Sequence, residues 1–93
     1  MRIIGYLDRP GMLVTVFKHD NKISVKLELD LMEQIYKLRD DLYLSELREI
    51  DSLLDAEWMK EIIANFEAMA HARLDALARY QEKIKGGQEP DIV

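Results

Sequence analysis

Along residues 22–29 apolar and polar side chains alternate without a break: Ile23, Val25, Leu27 and Leu29 against Lys22, Ser24, Lys26 and Glu28. A repeat of two predicts an antiparallel strand with one dry face and one wet face. The run over 12–19 is rich in Val, Leu and Phe and suits a second strand. Asp20-Asn21 between them tolerate the positive φ that a two-residue hairpin demands. That loop pairs Met12 with Leu29, Val14 with Leu27 and Val16 with Val25. A one-residue slip would set Val14 and Val16 against polar residues, so the pattern specifies the register. Pro10-Gly11 signals another turn and adds a strand over 2–7. With Arg9 opposite Met12, Leu7 and Ile3 join the core face, and Ile4, Tyr6, Leu13 and Phe17 fall on the other. A wet face does not ordinarily gather four large apolar side chains. Either another part of the chain or a second subunit must cover them.

Near Asp30 the repeat changes to about 3.6. Asp30 with Glu33 three residues on has the form of a capping box, and Leu31, Ile35, Leu38 and Leu42 make an apolar stripe. This spacing predicts a helix over 31–42. Ser45 is the candidate cap for a short helix over 46–53. Asp55 caps a long one over 56–85, with Leu54 and Met59 placed as a hydrophobic staple. Met59, Ile63, Phe66, Ala70, Leu74, Leu77 and Ile84 give the long helix its stripe, Gly86-Gly87 end it, and 86–93 read as a disordered tail. The predicted architecture is a single α+β domain over 1–85, a three-stranded antiparallel β-meander followed by two or three helices.

A 30-residue helix is about 45 Å long, whereas a compact chain of 93 residues is roughly 30 Å across. The last helix must therefore project beyond its own sheet, with an apolar stripe that runs on to Ile84. Pairing with a second copy is the simplest cover, and a two-fold dimer its commonest form. The interface residues on this reading are Ile4, Tyr6, Leu13 and Phe17 on the sheet, with Leu74, Leu77 and Ile84 on the projecting helix.

Charge changes the picture in one respect. Residues 1–29 carry five Lys/Arg against three Asp/Glu, and residues 30–93 carry eight against fifteen, within a net charge of −5. Eight acids fall between Asp40 and Glu61, a solvated face that makes non-specific binding to nucleic acid or anionic membrane unfavourable. The absence of Cys excludes disulfides, thiolate metal sites and Cys nucleophiles. The first ten residues hold too short an apolar run for a signal peptide, and no stretch reaches the roughly 20 apolar residues of a membrane helix. The expected location is cytoplasmic.

Candidate chemistry is sparse. Glu67, His71 and Asp75 are spaced four apart on one helix face, as a metal site or a seated general base would be, yet no second His-carboxylate set completes a ligand shell. Local ion pairing on a solvated flank explains the triplet more simply. Phe17, Lys22 and Lys26 share the outward sheet face, and a basic face with an aromatic can stack bases. Lysines that protect a sheet from aggregation account for them better. No Ser/His/Asp set, phosphate-cradling Gly loop, dinucleotide fingerprint or HExxH is present, which argues against an enzyme and for no cofactor.

Four segments carry a resemblance: Arg2-Ile3-Ile4-Gly5-Tyr6, Val16-Phe17-Lys18, Ser24-Val25-Lys26-Leu27-Glu28 and Glu33-Gln34-Ile35-Tyr36-Lys37-Leu38-Arg39. Together they resemble a family of small uncharacterised bacterial proteins, over most of the chain and most clearly in the first 40 residues. The resemblance implies a bacterial cytoplasmic protein and transfers no activity and no functional residue. The resulting expectation is a small non-catalytic protein-interaction domain, homodimeric, with an unknown protein as its other partner. The alternatives are a nucleic-acid-binding accessory protein that uses the outer sheet face, or a metal- or small-molecule-binding protein.

Overall fold

A computed structural model describes residues 1–39 and 44–87. Four strands, β1 (Arg2–Arg9), β2 (Met12–His19), β3 (Lys22–Leu29) and β4 (Met32–Arg39), precede two helices, α1 (Leu47–Leu53) and α2 (Ala56–Gly87). The sheet is an antiparallel meander in the order β1-β2-β3-β4. The α+β class holds, but the strand count is four rather than three.

The segment read as a first helix is β4, as far as Arg39; the remainder of that predicted helix lies outside the described residues. The physical reason lies at Asp30. It takes φ 55, as Asp20 does at φ 56 one hairpin earlier, so each Asp opens a two-residue turn in the left-handed region. A residue with that backbone cannot cap a helix. Past the turn, Met32, Gln34, Tyr36 and Leu38 alternate with Glu33, Ile35, Lys37 and Arg39, the first set half-buried and the second exposed. The apolar residues of this stretch satisfy both a 3.6 and a 2.0 period. Pairing with β3, which offers Leu27, Val25 and Ile23 to Gln34, Tyr36 and Leu38, decides the matter.

Within the β2–β3 hairpin Val14 opposes Leu27 and Val16 opposes Val25. All four are fully buried together with Ile23 on the inner face. Above that face lie Ile50 of α1, Leu54, and Ile62 and Phe66 of α2, with Trp58 and Met59 packed around them. The chain breaks between the two helices at Leu54, where the Asp55 carboxylate accepts the Trp58 N–H at 2.9 Å and starts α2. At the head of α1 the cap is Glu46 rather than Ser45, its N–H donating to Glu49 Oε1 at 3.0 Å.

One bulge reassigns two side chains. Ile3 opposes Phe17 and Gly5 opposes Val16, which leaves Ile4 as an extra residue in β1. Ile4 therefore turns inward against the core cluster, while Ile3 is 47% exposed on the outer side. The alternation read from the sequence had placed these two the other way round. Gly5 follows the bulge where α1 comes closest: a Cβ there would lie 2.5 Å from Leu47 Cδ2. Gly5→Ala should force Leu47 out of its seat and cost about 1–3 kcal/mol in a urea denaturation curve.

α2 advances along β4. Gln34 Nε2 donates to the Ile62 carbonyl at 2.9 Å, and one turn on Asn65 Nδ2 reaches the Tyr36 hydroxyl at 3.4 Å. Tyr36 donates in turn to Gln34 Oε1 and meets Trp58 edge-on, with ring centroids 4.9 Å apart. Phe66 is the last buried residue of the helix and Ala70 the last half-buried one; every residue from His71 to Gly86 is exposed. The helix has 32 residues, about 48 Å of rise. The molecule accordingly extends 63 Å along its long axis with a radius of gyration of 19.0 Å, where a compact chain of this length gives about 12 Å.

Candidate interaction surfaces

Among the described residues two apolar surfaces are left open. The first is the projecting half of α2. Leu74 (59% exposed), Leu77 (49%), Tyr80 (59%) and Ile84 (37%) lie along one seam of it. At 100° per residue, Ala70, Leu77 and Ile84 share the centre line, with Arg73 and Tyr80 on one flank and Glu67, Leu74 and Lys85 on the other. The docked face is a different one. Ile62 and Phe66 enter the core whereas Ile63 stays 45% exposed, so the helix uses one phase on its own sheet and a slightly rotated phase beyond it.

The second surface is the outer face of the sheet. Strand register places Ile3, Phe17, Ser24 and Lys37 in one row, and Tyr6, Thr15, Lys26 and Ile35 in the next. Tyr6, Leu13, Ile35 and Ile3 are each about half exposed. Thr15 between them is buried at 5%. Of the four sheet residues read as an interface, Tyr6, Leu13 and Phe17 share this face, and Ile4 stands on the opposite side with the core. Sequence reasoning missed Ile3 and Ile35. Ile3 was hidden by the bulge and Ile35 by the helical reading of 31–42.

The basic residues considered for nucleic acid do not form a cluster here. Lys26 Nζ sits over the Phe17 ring, 5.9 Å from its centroid, and is 3.8 Å from Glu28 Oε1, so its charge is engaged within the sheet. Lys22 lies at the β2–β3 turn, opposite His19 on one side and Arg39 on the other. His71 and Asp75 come together, Nδ1 to Oδ2 at 3.4 Å, on open helix surface. Glu67 does not join them. Among the described residues no group of three or more His, Cys, Asp or Glu is arranged to hold a metal ion. Likewise, among the described residues no helix is long and apolar enough to cross a membrane. Comparison of the chain with protein-family models, with curated proteins and with solved structures finds no match.

Proposed function

We propose that this chain is a small non-catalytic protein-interaction domain that forms a homodimer through the projecting half of α2, in a bacterial cytoplasm. The observation that supports it is the seam from Ala70 to Ile84, whose large apolar residues are exposed with none of the described residues of the same chain over them. A second copy suits this seam best in the antiparallel sense. With Leu77 on the two-fold axis, Ala70 faces the partner's Ile84, a small residue against a large one. Arg73 then neighbours the partner's Tyr80, and Glu67 the partner's Lys85, on matched flanks. A parallel pair would instead set Arg73 on Arg73 and Ala70 on Ala70, which leaves a like-charge contact and a gap. The outer sheet face, with Ile3, Tyr6, Leu13 and Phe17, is then left for a further protein partner.

The test is mass in solution. At low micromolar chain concentration, where weaker contacts are dissociated, light scattering after size exclusion should report twice the 10.9 kDa chain mass for the natural sequence. At the same concentration Leu77→Glu together with Ile84→Glu should return it to the single-chain value while the thermal melt of the domain persists. An unchanged mass would remove these two residues from the interface.

A further inference from the structure

β4 closes one side of the sheet, and among the described residues no strand lies beyond it. Natural edge strands are blunted by bulges, prolines, shortness or charged side chains, because a row of open backbone groups invites pairing. The charges that flank the middle of β4, Glu33 and Lys37, are of opposite sign and so repel a copy in some registers and attract it in others. The other edge, β1, carries such a bulge at Ile4. β4 is eight residues long, pairs residue for residue with β3, and holds neither Pro nor Gly.

Its sequence is also complementary to its own reverse. Around Ile35, Gln34 mirrors Tyr36, Glu33 mirrors Lys37, and Met32 mirrors Leu38. An antiparallel copy centred on Ile35 therefore places Glu33 against the partner's Lys37 twice and Ile35 against Ile35 on the outer face. On the inner face it places Met32 against Leu38. Shifting the centre by one residue loses this match, setting Glu33 or Lys37 against Ile35. The backbone agrees. A two-residue hairpin closes on a pair that exchanges both hydrogen bonds, so Met32, Gln34, Tyr36 and Leu38 face β3. Glu33, Ile35 and Lys37 then turn their N–H and C=O groups to the open edge, as a pairing centred on Ile35 requires.

Charge inside the sheet points the same way. Glu33 lies directly opposite Glu28, a like-charge cross-strand pair that costs stability, and Lys37 lies opposite Ser24. Among the described residues neither Glu33 nor Lys37 forms an ion pair. Ile35 between them is 48% exposed.

We infer that β4 pairs edge to edge with β4 of a second copy about Ile35, joining the two sheets into one, with the Glu33–Lys37 contacts fixing register. This contact is separate from the α2 seam and does not depend on it. It is tested in the full chain carrying Leu77→Glu and Ile84→Glu, so that helix pairing does not contribute to the mass. Sedimentation equilibrium of this parent should show a reversible monomer–dimer equilibrium below about 1 mM. Glu33→Lys alone, or Lys37→Glu alone, should weaken it at least about tenfold, since each turns two attractive contacts into repulsive ones. An equimolar mixture of those two variants should dimerise again, and so should the chain carrying both changes. Ile35→Pro should abolish pairing while the circular dichroism melt is kept, because an edge strand tolerates proline where its N–H faces outward. A parent that stays monomeric to about 1 mM would overturn the inference. So would single variants that dimerise as the parent does, or a mixture that fails to recover.

Discussion

Phe66→Ala should lower the free energy of unfolding by about 3–5 kcal/mol and depress Tm by roughly 15 °C or more, measured by denaturant titration and thermal melt. Phe66 is 1% exposed and is the largest of the fully buried side chains. It is also the last point at which α2 is held to the sheet, so truncation opens a cavity under the helix and releases its anchor together. With Ile62 it caps a sheet face formed by Val14, Val16, Ile23, Val25 and Leu27, and the described residues form no second core to absorb the loss. The informative contrast is Leu77→Ala, eleven residues farther along the same helix. At protein concentrations low enough to keep the chain monomeric, that change should stay within about 0.5 kcal/mol of the natural protein. A large effect at Leu77 in the monomer, or a small one at Phe66, would show the docked and projecting parts of α2 to be drawn in the wrong place.

Arg9→Met is the second large effect, about 2–3 kcal/mol of destabilisation by the same measurement. A helix ends with carbonyls that lack partners, and α1 ends without a basic residue in its last turn. Arg9 supplies the missing donors from β1. Its Nη2 donates to the Leu54 carbonyl at 2.8 Å and to the Asp51 carbonyl at 3.1 Å, and it pairs with the Asp51 carboxylate at 2.8 Å. The Arg9 side chain is only 17% exposed, so water does not readily replace it. Methionine keeps much of the buried stem but leaves the Leu54 carbonyl without its charged donor. Asp51→Asn should cost less than about 1 kcal/mol, because the Asp51 side chain is half exposed and its carbonyl still accepts. If the two substitutions cost the same, the ion pair rather than the cap would be what Arg9 provides.

Much of this arrangement is written in local chemistry. The β2–β3 register is legible because only one alignment keeps Val14 and Val16 beside Leu27 and Val25, and the turn at Asp20 has its own residue preference. The projection of α2 is legible too, since it follows from helix rise against domain size. β4 was not, because its apolar residues serve two periods at once, and the choice belongs to β3. A hint was present: Asp30 lies ten residues after Asp20, the spacing of an eight-residue strand and a two-residue turn. The bulge at Ile4 leaves no mark of its own in the alternation of β1. Its consequence, the exchange of Ile3 and Ile4 between faces, follows from the extra residue that the pairing with β2 leaves in β1. The candidate surfaces divide in the same way. Leu74, Leu77 and Ile84 sit where periodicity alone put them, whereas the outer sheet face gained Ile3 and Ile35 from pairing that the chain reveals only once folded.

The projecting half of α2 also sets how the molecule opens. Helix formation is costly at its first turn and cheap thereafter. The turns around Ile62 and Phe66, pressed on the sheet, act as a standing nucleus, so the segment beyond Ala70 is spared the initiation penalty although none of the described residues buries it. One continuous helix thus contains two stabilities. The amides of its first part should exchange with solvent only when the domain unfolds, and those of its second part by local opening of the exposed turns, a contrast that native-state hydrogen exchange reads. Whatever grips that second part has to hold a helix already formed rather than fold a disordered one, and so avoids most of the ordering entropy that coupled folding would cost.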